Sequence, residues 1–246
     1  RSLSSTESAS APAPSSYQRL RANIGNHCMP ASNIVIILGH PDANSFCGAI
    51  AETYRLSASA AGHSVQLFRL GEIDFDPVLR HGYQQRQELE PGLLEIREAI
   101  SAARHLVFVY PIWWGGMPAL LKGMFDRLFL PGYAFKYREG SQFWDRLLSG
   151  RSAHALVCMD TPPWYFRLVY RMPGHHQMKR TILEFCGIKP VKISSFGPVR
   201  YASAKQRERW LERLKRTGAH YLVVQKQLAE IADTTTPPEI LFAQQD

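Results

Sequence analysis

The chain has 246 residues, 45% of them hydrophobic and 20% charged, ordinary proportions for a globular protein with a buried core. Lysine and arginine exceed aspartate and glutamate by 29 − 21 = 8, which favours anionic partners; the cations are scattered rather than gathered in a stripe, which argues against nucleic acid. No apolar run reaches the roughly 20 residues that span a bilayer, and the opening stretch lacks the apolar centre of a signal peptide, so the cytoplasm is the expected location.

Residues 1–32 read as a tail: Ser, Ala and Pro dominate Ser4 to Ser16, too little apolar surface to offset the entropy of ordering. One domain is expected over 33–231, and 232–246, with Thr234-Thr235-Thr236-Pro237-Pro238, reads as a second tail. Within the domain, short β-branched and aliphatic runs begin at Ile34, Val65, Leu106, Ala155 and Val191. Such runs mark strands buried on both faces. Helical segments are expected at about 45–61, 91–103, 118–129, 176–186 and 203–230, with Asn44 or Ser45 as the first N-cap, Gly62 as a C′ residue and Pro118 at a first helical position. Strands alternating with helices give an α/β fold, a parallel sheet covered on both faces. Cys28, Cys47, Cys158 and Cys186 form no CxxC pair, so neither a disulfide framework nor a thiol–zinc motif is expected, and a reducing compartment fits.

In such a sheet, ligands bind beyond the carboxyl ends of the strands, so the loops after the first, third and fourth strands carry the search. The first loop runs from Gly39 through His40, Asn44, Ser45, Phe46 and Cys47 to Gly48. It opens a helix, whose N-terminal N–H groups suit a phosphate, but lacks GxxxxGK[ST] and GxGxxG, against a P-loop NTPase or a Rossmann dehydrogenase. The second holds Tyr110-Pro111-Ile112-Trp113-Trp114-Gly115-Gly116-Met117-Pro118. Two adjacent tryptophans cannot both point inward from an extended segment, so at least one should face a cleft and could wall a flat conjugated ring. The third reads Met159-Asp160-Thr161-Pro162-Pro163-Trp164. His175 and His176 lack a third ligand, and no metal is expected. The aromatic and basic run from Trp164 to Arg171 suits a lid, a membrane-surface helix or a dimer contact.

The stretch from His40 to Phe46, and above all that from Pro111 to Gly123, resembles the NAD(P)H:quinone oxidoreductases of the DT-diaphorase type; Gly132–Tyr137 and Ile182–Gly187 add to the likeness, which covers about 33–225. The resemblance implies a flavodoxin-like fold of five parallel strands in the order 2-1-3-4-5. It implies that His40, Ser45 and Phe46, with Asn44, Cys47 and Pro111, meet the phosphate and ribityl chain of a flavin, and that Ile112, Trp113, Trp114 and Gly115 line its ring. Phe135 and Tyr137, with Trp113, would border the acceptor pocket, completed by a second subunit in a homodimer. Where relatives have a Thr-Gly-Gly turn this chain has Pro162-Pro163, which supply no N–H, leaving Asp160 and Thr161 to support the ring edge. For the Tyr and His that relatives place in the following loop this chain offers Tyr165, Tyr170, His175 and His176, of which His175 is the catalytic candidate, though the cofactor carries the chemistry.

The expected activity is therefore ping-pong hydride transfer from NAD(P)H through flavin N5 to a quinone-like acceptor, with FAD favoured over FMN. A flavodoxin-type electron carrier and the regulatory subunit of a membrane transporter, with a peripheral membrane or transporter contact, are the alternatives.

Overall fold

A computed structural model describes residues 32–216. The tails expected at 1–32 and 232–246, apart from Ser32, and the end of the helix expected over 203–230 lie outside the described residues. The described elements are β1 (Asn33–Leu38), α1 (Phe46–Ala60), β2 (Ser64–Arg69), α2 (Pro91–Ala102), β3 (His105–Pro111), α3 (Ala119–Leu128), β4 (Phe135–Tyr137), β5 (Trp144–Arg146), β6 (Ser152–Cys158), α4 (Pro163–Leu168), α5 (Pro173–His176) and β7 (Val191–Phe196). A seven-residue π-type turn (Gln177–Leu183) continues α5, and α6 occupies 204–216.

Five strands form one sheet in the order β2-β1-β3-β6-β7, every pair parallel. This is the expected 2-1-3-4-5 order, with the antiparallel hairpin β4–β5 inserted between the third and fourth strands of the sheet. Successive side chains of a strand point to opposite faces, and both faces are covered here. Val35, Ile37, Leu106, Phe108 and Val157 pack with Leu93 and Ile96 of α2 and Leu121 and Met124 of α3. Ile34, Ile36, Val107, Val109 and Leu156 pack with Ile50 and Tyr54 of α1 and Leu214 of α6. That is why these strands read as unbroken apolar runs rather than alternating ones.

Local chemistry sets the helix ends. Ser45, not Asn44, caps α1: its hydroxyl accepts from Gly48 N at 3.3 Å, whereas Asn44 is exposed and its backbone N–H donates to Asp42 Oδ1 at 2.8 Å. Gly48 is required, because a Cβ there would lie 1.8 Å from Ala43 O. Gly62, at φ 86°, follows the C-cap Ala61 as expected. Pro118 stands one residue earlier than expected, at the cap before Ala119, since its ψ of 149° is extended rather than helical.

Two histidines, His105 and His154, are buried toward the amino ends of the strands. The Tyr54 hydroxyl lies 3.2 Å from His105 Nε2, His105 Nδ1 lies 2.8 Å from Ser152 Oγ, and His154 Nε2 lies 2.9 Å from Ser194 Oγ. Burial pushes both imidazoles down to about 3. They are neutral hydrogen-bonding members of the core, far along the strands from the carboxyl ends.

Candidate active site at the carboxyl ends of the strands

The loops after β1, β3, β6 and β7 converge on two hollows that meet at Ile112. The first, of about 190 Å³, lies against the start of α1 and is walled by His40, Ser45, Phe46, Cys47, Pro111, Trp113, Cys158, Met159, Asp160 and Val199. No acidic side chain stands in the first turn of α1, so its unpaired N–H groups present uncancelled partial positive charge. His40 accepts from Asp42 N through Nδ1 at 2.9 Å and sets its ring edge-on to Trp113, 5.5 Å between centroids. Asp160 is tied at the rim, where Oδ1 accepts from Arg200 N at 2.8 Å.

The second hollow, of about 480 Å³, lies between the tryptophan turn and α4 and is walled by Trp114, Gly115, Thr161, Phe166, Tyr170 and Pro173. The turn is a tight hairpin: Trp113 N donates to Gly116 O at 2.9 Å and Gly116 N to Trp113 O at 3.0 Å. Its two central residues, Trp114 at φ 51° and Gly115 at φ 81°, both have positive φ, as in a type I′ turn. Gly suits such a position; a tryptophan there is strained. Trp113 is 45% exposed and Trp114 fully exposed in the protomer, so both side chains turn outward, each lining a different hollow. Gly174 lets α5 close on this turn, since a Cβ there would meet Gly115 O at 2.7 Å.

Thus His40, Ser45, Phe46, Cys47, Pro111, Ile112, Trp113, Trp114, Gly115, Asp160 and Thr161 come together, and Asn44 lines neither hollow. His175 stands behind the second hollow: its ring lies 5.2 Å from that of Phe166, and Nε2 is 2.9 Å from Ser195 Oγ. Burial, then the neighbouring His176, pushes it down to about 4. Phe135 and Tyr137, their rings 5.2 Å apart, line a separate hollow of about 320 Å³ beside Gln177 and Phe185, and within one protomer they do not share a wall with Trp113 or Trp114. Sequence reasoning missed Val199, Phe166 and Tyr170. Val199 belongs to the loop after β7, which carries no motif; Phe166 and Tyr170 sit in the aromatic run for which a lid, a membrane-surface helix and a dimer contact were all open, and they wall the second hollow.

A flavodoxin-like fold family model matches residues 32–217. The chain belongs to that family. Among its curated relatives is a Haemophilus influenzae protein named as an uncharacterized NAD(P)H oxidoreductase, 28% identical over 187 residues, covering 73% of this chain and 91% of that protein. The ribosyldihydronicotinamide dehydrogenase [quinone] of Rattus norvegicus is 24% identical over 220 residues, covering 76% and 92%. A solved NAD(P)H:quinone oxidoreductase from Methanothermobacter marburgensis superposes with a TM-score of 0.65 at 27% identity, covering 77% of this chain and 98% of that one. These relatives bear out the family likeness read from the motifs. No helix among the described residues is long and apolar enough to cross a membrane.

Proposed function

We propose that this flavodoxin-like chain is a flavin-dependent oxidoreductase that takes electrons from NAD(P)H and delivers them to a quinone or similar acceptor. The observation that carries the reading is the pair of hollows joined at Ile112, a helix N-terminus on one side and a cleft edged by Trp114, Phe166 and Tyr170 on the other. That division fits a flavin, whose phosphate is anionic and whose ring is flat and apolar. Ser45, His40 and the first N–H groups of α1 would hold the phosphate. Phe46, Cys47, Pro111 and Trp113 would flank the chain between phosphate and ring. Ile112, Trp114 and Gly115, with Phe166 and Tyr170 opposite, would wall the ring and exclude water.

A bound flavin supplies two-electron relay chemistry, taking hydride from a reduced nicotinamide and passing it to an acceptor. The protein's part is position and electrostatics. Donor and acceptor would occupy the open side of the second hollow in turn, so a ping-pong order follows. Pro162 and Pro163 bring no N–H to the ring edge, which leaves Thr161 and Asp160 as the polar groups there. His175, neutral and held by Ser195 behind Phe166, acts as a positioning residue. Phe135 and Tyr137 line a different hollow, so they would border the acceptor only in a homodimer whose second copy brings them over the cleft. FAD is the favoured cofactor, from the resemblance to the longer members of the quinone oxidoreductases, with FMN the alternative. Among the described residues Cys47, Cys158 and Cys186 are buried free thiols, which suits a reducing cytoplasm.

The test is direct. The purified full-length protein should show a flavin absorbance spectrum, mass spectrometry of the released chromophore should give FAD, and NADH or NADPH should bleach the spectrum until a quinone restores it. A colourless protein that binds neither FAD nor FMN on titration would end this reading.

A further inference from the structure

Two of the buried thiols stand at the wall of the first hollow. Cys47 is the second residue of α1, and Cys158 is the last residue of β6. They come from elements 111 residues apart in the chain, counted as 158 − 47, yet they meet in one layer and one wall, where Cys47 and burial push the Cys158 thiol up. Both belong to the apolar layer under α1, and both also form part of the wall of the first hollow, beside Ser45 and His40. Cys186, by contrast, lies in the opposite layer and faces neither thiol.

The surroundings hold the pair in place. Cys158 is fixed through its backbone, its carbonyl accepting from Ile112 N at 2.7 Å, and it is paired in register with Pro111 and Phe196. Cys47 is fixed by the capped first turn of α1. Neither residue can be drawn away without moving the sheet or the helix, so the sulfurs remain neighbours. The hollow gives small molecules a route to them, and a flavin lying across it would cover that route.

We propose that Cys47 and Cys158 form an oxidisable dithiol that gates the phosphate end of the cofactor site: open as two thiols, closed as a disulfide. Its consequence for cofactor binding rests on the flavin reading above; the link itself does not. With hydrogen peroxide as oxidant, each S–H bond breaks and one S–S bond forms. Two electrons and two protons pass to the peroxide, its O–O bond breaks, and two waters leave. The new bond, about 2.05 Å long, draws the first turn of α1 against the end of β6 and narrows the wall that would meet the phosphate. A flavin already bound shields the pair, so the device distinguishes loaded from empty protein. Thiol exchange with a small dithiol reverses it.

Full-length protein carrying Cys28→Ser is prepared flavin-loaded and flavin-stripped, exposed to hydrogen peroxide, alkylated and digested. Peptide mass spectrometry should find a Cys47–Cys158 link, two hydrogens lighter than the paired thiols, in the stripped protein and little or none in the loaded protein. FAD titration of the linked protein should show affinity lower by about tenfold or more, the equivalent of one lost charge-assisted contact, with recovery after dithiothreitol. Cys47→Ser and Cys158→Ser should each leave FAD affinity insensitive to peroxide. Absence of the linked peptide, singly oxidised cysteines in its place, equal linkage in loaded and stripped protein, or unchanged affinity of the linked protein would each overturn the proposal. Failure of the reduced, unmodified protein to bind either flavin would instead sink the cofactor reading, and the peptide result would still stand as the measure of the link.

Discussion

Replacing Trp114 by Ala separates a cofactor wall from a core residue more sharply than any other single change. The side chain is fully exposed in the protomer, and no core cluster includes it. Truncation therefore removes no buried area from the flavin-free fold, and the positive φ of 51° remains for the alanine. The melting temperature of flavin-free Trp114→Ala protein should match the parent within the roughly 0.5 kcal/mol typical of surface changes. Cofactor binding should respond quite differently. Fully burying a tryptophan removes about 200 Å² from water; a ring lying against one side of Trp114 would cover about half of that. At about 25 cal/mol per Å² the loss is about 2.5 kcal/mol, or about 60-fold in affinity at 1.4 kcal/mol per decade. Titrating FAD and FMN into both flavin-free proteins, with thermal melts alongside, measures the two effects independently. Unchanged flavin affinity would refute the placement of the ring beside Trp114, and a collapsed melt would refute the exposure on which the calculation rests.

Other changes probe the scaffold and the assembly. Ser45→Ala should cost about 1 kcal/mol of stability through loss of the α1 cap and weaken flavin binding as well; a stability loss without any effect on binding would remove Ser45 from the phosphate site. Arg127 is 1% exposed and holds Glu90 at 2.9 and 3.0 Å, so Glu90→Ala strands a buried cation and should cost about 3 kcal/mol in urea melts, the low end for such pairs because Glu90 is partly solvated; a loss under 1 kcal/mol would show that the carbonyls of Asp76 and Glu88 suffice. His105 and His154 have folded values of about 3 against an ordinary 6.5, so the unfolded chain takes up protons first as pH falls. Their contribution is whole above about 6.5 and drains toward 3, removing about 3–4 kcal/mol between neutrality and about pH 5; equal stability at the two pH values would contradict it. Light scattering should give a dimer, and initial rates against both substrates should give parallel double-reciprocal lines; an active monomer or intersecting lines would each defeat the corresponding part of the proposed function.

The sheet was legible because its strands are buried on both faces: Ile34 to Leu38 and Leu106 to Tyr110 have no polar position to confuse their reading. The first-loop and tryptophan-loop residues could be gathered into one site because strand ends in a parallel sheet lie side by side whatever their separation in sequence. The hairpin β4–β5 escaped notice because three-residue strands carry too little pattern. The displacement of Phe135 and Tyr137 into a hollow with Phe185 depends on where that hairpin docks, which no local spacing encodes. The choice of Ser45 over Asn44 as cap turned on Asn44 being drawn into a turn with Asp42, a competition between two adequate caps. Val199 reaches the first hollow through a loop after β7 with no motif of its own.

The two ends of the sheet divide stability from chemistry, and the division explains the conformation of Trp114. At the amino ends, Tyr54 and His105 are buried and hydrogen-bonded, His105 also to the half-buried Ser152, an arrangement that fixes register and leaves nothing to bind. At the carboxyl ends the backbone itself is anchored, with Trp113 paired to Gly116 and Ile112 to Cys158, while the side chains between those anchors point into open hollows. A left-handed tryptophan costs about 1–2 kcal/mol, a strain that glycine at the same turn position would avoid. In the protomer this side chain gains no burial that offsets the cost. The fold therefore tolerates the strain without needing the side chain, and what the indole contributes must come from a surface laid against it. The adjoining hollow, bounded opposite by Phe166 and Tyr170, supplies the space for a flat ring to do so.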